Sequence, residues 1–94
     1  IMSSDKITEQ MIKELYDIIL KLQTEEDCKE LFADLMTYNE IKQFAQRIQV
    51  AKLIIEGNTY SQIITKTDVS SATLSRVSNC VKNGKGYNKF LKTK

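Results

Sequence analysis

Val69-Ser70-Ser71-Ala72-Thr73-Leu74-Ser75-Arg76-Val77 reads as the opening of a short helix with two unlike faces. Ser70 is placed to cap it, because a serine hydroxyl at that point accepts an orphan backbone amide of the first turn. Val69, Leu74, Val77 and Val81 share one side at helical spacing and are expected to point inward. The opposite side carries Ser71, Thr73, Ser75, Arg76, Asn79 and Lys82, a mixture of small hydroxyls, an amide and cations.

The segment just before it supplies a partner. Thr59-Tyr60-Ser61-Gln62 has the spacing of a capping box, Ile63 and Ile64 follow, and the pattern breaks near Asp68, which predicts a helix of about eight residues. Two short helices joined by a tight turn, the second with such an outer face, predict a helix-turn-helix from about Thr59 to Lys82. Small residues near the start of the second helix let its backbone enter a major groove about 12 Å wide. Hydroxyls and amides then reach base edges, while arginine and lysine neutralise phosphate. Ser71, Ala72, Thr73 and Ser75 are therefore the candidates for base contact. Arg76, Lys82 and Gln62 are the candidates for phosphate contact, with Asn79 near the groove edge and Lys66 beside Gln62 on the first helix. Asp68 stands where such motifs favour glycine, and aspartate tolerates the left-handed conformation better than most residues. Ile64 stands where helix-turn-helix motifs usually have alanine. An ordinary helical hairpin with a polar outer face is the plain alternative.

Charge favours the first reading. Residues 69–94 hold six bases and no acid, residues 36–68 four bases and three acids, and residues 1–35 nine acids and four lysines. The net charge of +2 thus conceals a basic second half suited to a polyanion. Lysines from Lys85 onward would add non-specific attraction to DNA, although a solvated lysine-rich tail is the bland reading.

Toward the N-terminus, Thr37-Tyr38-Asn39-Glu40 is another capping box and Gly57 a helix stop. Between them Ile41, Phe44, Ala45, Ile48, Ala51 and Ile55 are expected to line the inward face, extended by Val50, Leu53 and Ile54. Thr24 caps a helix whose first turn, Glu25, Glu26 and Asp27, suits the positive end of the helix dipole, so these acids read as structural. Cys28, Leu31, Phe32 and Leu35 form its inward face. A first helix over Asp5–Leu22 carries Ile7, Met11, Leu15, Ile18 and Leu22 on one stripe, widened by Ile12, Tyr16 and Ile19. That is more apolar width than one small core needs and suggests a surface shared with a second subunit, with simple core packing the alternative.

The whole chain therefore predicts an all-α protein of about six helices, a single domain over residues 1–94, with Met2 as the natural start. There is no proline, and strand alternation is nowhere sustained. No apolar run is long enough for a membrane span and no signal-peptide order is present, so a cytoplasmic location is expected. Histidine is absent, and Cys28 and Cys80 stand apart and are expected to be reduced. No acid-base or nucleophile arrangement emerges, so neither an enzyme nor a metal or cofactor site is expected.

The run Val69–Val77 is similar to the V-S-x-x-T-[VI]-S-R-V stretch of many bacterial repressors. Together with Met36-Thr37-Tyr38-Asn39-Glu40, Arg47, Gly57 and the stretch from Ala72 through Asn79, it resembles the Trp-repressor superfamily, and within it the YerC/YecD branch, over residues 10–92. The resemblance implies an intertwined homodimer with a shared N-terminal core and helix-turn-helix heads on successive major grooves of duplex DNA. In the Trp repressor, tryptophan sits between two arginines, matched here by Arg47 and Arg76, and Thr37 matches a threonine at the pocket rim. The residue after the second arginine is glycine there and Val77 here, and a serine of the pocket is replaced by Cys80. The resemblance thus implies a sequence-specific, dimeric transcriptional regulator without dependence on tryptophan. An anionic small-molecule effector between Arg47 and Arg76 stays open, as does a surface role for Arg47. The alternative function is a protein-interaction module that keeps the fold and meets an acidic partner.

Overall fold

Each of the four hydroxyl residues expected to start a helix does so. The hydroxyls of Thr24, Thr37, Thr59 and Ser70 accept the amides of Asp27, Glu40, Gln62 and Thr73 at 3.0–3.2 Å. Thr37 and Thr59 complete full boxes, their own amides donating to Glu40 and Gln62 side chains at 2.8 Å. The structure, a computed structural model, describes residues 2–92. Its helices are α1 (Met2–Ile19), α2 (Glu25–Leu35), α3 (Tyr38–Ile55), α4 (Tyr60–Thr67), α5 (Ser71–Asn83) and α6 (Gly86–Leu91), and the described residues contain no strand.

The chain's contacts fall into two compact units, Ile1–Met36 and Thr37–Lys94. In the first, α1 stops at Ile19 instead of reaching Leu22. Lys21 and Leu22 donate to Ile18 and Ile19, the tighter i→i+3 pattern in which helices often end. Asp27 closes the entry to α2 by accepting the Gln23 amide at 3.0 Å, a structural use of the acid cluster. No described side chain of this unit is buried. Ile7, Met11, Leu15 and Ile18 are exposed along α1, and Cys28, Leu31 and Phe32 of α2 are half-buried while Leu35 is exposed.

The second unit is built on α3, against which α4, α5 and α6 all pack. Its core is Val50, Ala51 and Leu53 of α3, Ile63 of α4, Val69 of the turn, and Leu74 and Val77 of α5, with Ile54, Val81, Tyr87 and Leu91 packed around it. The inward valines and leucine expected of α5 are thus in place. The inward face expected of α3 is only partly so: Ala51 is buried, but Phe44 and Ile48 are 43% and 46% exposed. Periodicity marks an apolar face but not what covers it, and within this unit the buried residues of α3 lie in its C-terminal half. Gly57, with φ +93°, ends α3 by sending the next amide, that of Asn58, back to the Leu53 carbonyl, a conformation glycine adopts without steric cost.

Candidate nucleic-acid interface

Helices α4 and α5 are separated by Asp68, Val69 and Ser70 alone. Asp68 takes the left-handed conformation (φ 57°, ψ 27°), and its amide donates to the Ile64 carbonyl at 2.8 Å. The turn is held from three further sides. The Thr67 hydroxyl donates to the Ile63 carbonyl and accepts from the Val69 amide, and the Gln46 side chain of α3 donates to the Thr67 carbonyl at 3.2 Å. A turn fixed in this way sets where α5 begins relative to α4. Ile64 lies on the exposed side of α4.

On α5, burial of Leu74 and Val77 turns the other face outward. Ser71, Ala72, Ser75, Arg76, Asn79 and Lys82 are exposed there. Thr73 differs: it is half-buried, and its hydroxyl accepts from the Ser70 hydroxyl at 3.0 Å, so it belongs to the cap as well as to the outer face. Asn79 accepts from the Asn83 side chain at 2.7 Å. On α4, the Gln62 side-chain carbonyl is committed to the capping box, which leaves its NH2 end for an outside partner. Lys66 is steadied by donation to Asn58 Oδ1 at 3.0 Å, a neutral partner that leaves its positive charge uncompensated. Ser61, Gln62, Thr65 and Lys66 line a shallow depression of about 240 Å³.

The electrostatics follow the division into units. From residue 37 onward the chain has ten bases and three acids, and none of the acids lies on α5. Among the described residues both ion pairs, Lys13–Asp17 and Lys29–Glu25, lie in the first unit. The cations of α5, Arg76 and Lys82, thus form no ion pair among the described residues.

None of the described cavities holds more than one of the five effector-pocket candidates. Thr37 is engaged in its capping box. The guanidinium of half-buried Arg47 stacks over the Phe44 ring, 5.5 Å from its centre, while Arg76 is exposed. Val77 is 1% exposed within the core. Cys80 lines a cavity of about 330 Å³ with Gly84, Gly86 and Tyr87, which takes in none of the other four.

Three features of this region carried no readable signal in the sequence. The Tyr60 hydroxyl at the start of α4 is hydrogen-bonded to the hydroxyl of buried Ser78 on α5. Asn58 donates from its side chain to the Leu53 carbonyl at 3.0 Å and accepts from Lys66, tying the end of α3 to α4. Helix α6, whose first residue follows Lys85 with no side-chain cap, brings Tyr87 and Leu91 onto the core, and Asn88 donates to the Val81 carbonyl at 2.7 Å. Residues read as a basic tail are thus partly structural.

Two short helices, a three-residue turn and a supporting third helix define a helix-turn-helix protein. The chain belongs to the Trp repressor protein family, whose family model matches residues 10–94. It is 45% identical over 83 residues to the uncharacterised Bacillus subtilis protein YerC, covering 88% of this chain and 80% of that one. A crystal structure of a candidate Trp repressor from Staphylococcus aureus superposes with a TM-score of 0.85 at 38% identity, over 96% of each chain. A TrpR-like protein from Eubacterium eligens superposes with a TM-score of 0.84 at 34% identity, over 95% of this chain and 99% of that one.

Proposed function

We propose that this protein is a sequence-specific DNA-binding regulator of transcription that acts as a homodimer. The observation that carries the reading is the outer face of α5, where Ser71, Ala72, Ser75 and Arg76 stand exposed directly across the helix from buried Leu74 and Val77. In this reading α5 lies in the major groove, with Ser71, Ala72, Thr73 and Ser75 at base edges. Arg76, Lys82, Gln62 and Lys66 meet phosphates, with Asn79 at the groove edge. The uncovered apolar surfaces of α1 and of the first half of α3 support a dimer, in which the two units of each chain join a single shared domain and two copies of α5 stand about 34 Å apart on a pseudopalindromic site.

Tryptophan does not gate this binding. Val77 stands where the Trp repressor has glycine, and its side chain is enclosed in the core. An anionic effector would suit Arg47 and Arg76 together, with a surface role for Arg47 as the alternative.

The test is fluorescence anisotropy of duplex DNA across a salt series, using a random pool and sequences selected from it, with and without tryptophan. Tight, selective, salt-sensitive binding that ignores tryptophan is expected. Tryptophan dependence would refute the reading of Val77. Absence of binding at every salt concentration would refute DNA recognition and leave an acidic protein partner as the ligand of the basic face.

A further inference from the structure

Helices α4 and α5 both lean on α3 and share its core through Ile63, Leu74 and Val77, and beyond that packing they are tied to each other at two places. One is the turn at Asp68–Ser70, where the chain itself joins them. The other is the hydrogen bond between Tyr60 and Ser78, which among the described residues is the one side-chain hydrogen bond joining the two helices. These points lie far apart. Tyr60 is the first residue of α4, about 10 Å from the turn at 1.5 Å per residue, and Ser78 is a similar distance along α5. The two helices and the bond thus close a triangle. The turn holds one end of the angle between the helices and the burial of Ile63 its middle, while the bond holds the far end, at the first residue of α4.

The two partners are differently exposed. Ser78 is 4% exposed and is the buried polar residue of the unit, so its hydroxyl cannot reach DNA. Tyr60 is half exposed, with its ring at the surface and its hydroxyl turned to Ser78. A serine hydroxyl buried among valine and leucine is costly unless it is paired, so the bond is held in place by the packing around it.

We infer that the Tyr60–Ser78 pair is a positioning device that sets DNA selectivity, by fixing the angle between α4 and α5 without itself contacting bases. The inference rests on the DNA-binding reading above. Base contacts from α5 and phosphate contacts from α4 can be made together only if the helices keep one angle. Binding to DNA of arbitrary sequence is electrostatic and tolerates a loose angle, because no register has to be satisfied. Loss of the bond should therefore weaken binding to a selected site much more than binding to random DNA.

The experiment measures binding of the full-length protein to a selected duplex and to a random pool for wild type, Tyr60→Phe, Ser78→Ala and the double variant, with circular dichroism confirming the helical fold of each. The ratio of selected to random affinity is expected to fall about 3- to 10-fold in each single variant, the range of one lost hydrogen bond. The double variant should be no worse than either single one, and the salt slope should not change, since no cation is removed. An unchanged ratio in both single variants would overturn the inference and leave the bond a purely structural one. Equal weakening on both DNAs in Tyr60→Phe, with Ser78→Ala unaffected, would also overturn it and identify Tyr60 as a phosphate contact. If wild type itself fails to bind, the DNA reading falls and this inference with it, an outcome visible before any variant is compared.

Discussion

The α1–α2 unit and the α3–α6 unit contain the same kinds of apolar side chain and bury them to very different extents. Val50, Ala51 and Ile63 in the second are completely enclosed, whereas no described residue of the first is buried. Two helices cannot surround a side chain. The second unit covers one half of α3 with α4, α5 and α6, and that is enough to close a small core. The difference is that the second unit closes a core with its own helices, while the N-terminal unit taken by itself encloses none of its described apolar side chains.

The contrast can be broken most severely at its closed end. Ile63→Ala removes three buried carbons from the centre of the core and should lower unfolding free energy by about 2–5 kcal/mol, measured by urea denaturation. A loss near zero would mean that the core is not the rigid part of the chain. At the open end, Leu15→Lys replaces an apolar side chain that a dimer would bury for about 1.5–3 kcal/mol per copy. Analytical ultracentrifugation should show the mass falling from two chains to one. If the mass does not change, the α1 stripe is not the contact.

A smaller effect tests whether local helix signals act alike in both units. Thr24→Ala and Thr59→Ala each remove a cap hydroxyl accepting an amide, and each should cost about 1 kcal/mol in thermal unfolding. A negligible loss for Thr24 alone would indicate that α2 is held mainly by packing against a partner. The least effect on stability is expected from Arg76→Ala, within about 0.5 kcal/mol, because the side chain is exposed. The same variant should weaken binding to all DNA sequences and reduce the salt slope by about 0.9, the share of one phosphate contact. Undiminished affinity would remove Arg76 from the interface.

What could be read from the sequence was what is encoded locally. Thr24, Thr37, Thr59 and Ser70 announce helix starts because the capping chemistry lies within three residues, and Asp68 and Gly57 announce stops for the same reason. The inward residues of α5 were legible because Val69, Leu74, Val77 and Val81 sit close to their turn in a short amphipathic segment. The orientation of α3 was not, since Phe44, Ile48 and Val50 are equally apolar and only the positions of other helices decide which are covered. The end of α1 at Ile19 escaped because Leu20 and Leu22 continue the apolar pattern past the point where the backbone tightens. Helix α6 lacks a capping side chain, so nothing marked its start. The outer-face residues of α5 could be named from pattern, whereas the Tyr60–Ser78 pair joins residues 18 apart and exists only once the helices are placed.

Helix α3, 18 residues and about 27 Å long, has one half inside the closed core and the other bearing exposed Phe44 and Ile48. If the proposed dimer covers the exposed half of this rod, the core's thermodynamics depend on how much protein is present. A second copy that binds the folded rod, and not the unfolded chain, stabilises everything packed on it by a term that grows with the logarithm of protein concentration. The midpoint of thermal unfolding of α4 and α5 would then rise with protein concentration, because both pack on α3. Abundance itself would then set how firmly α4 and α5 are folded.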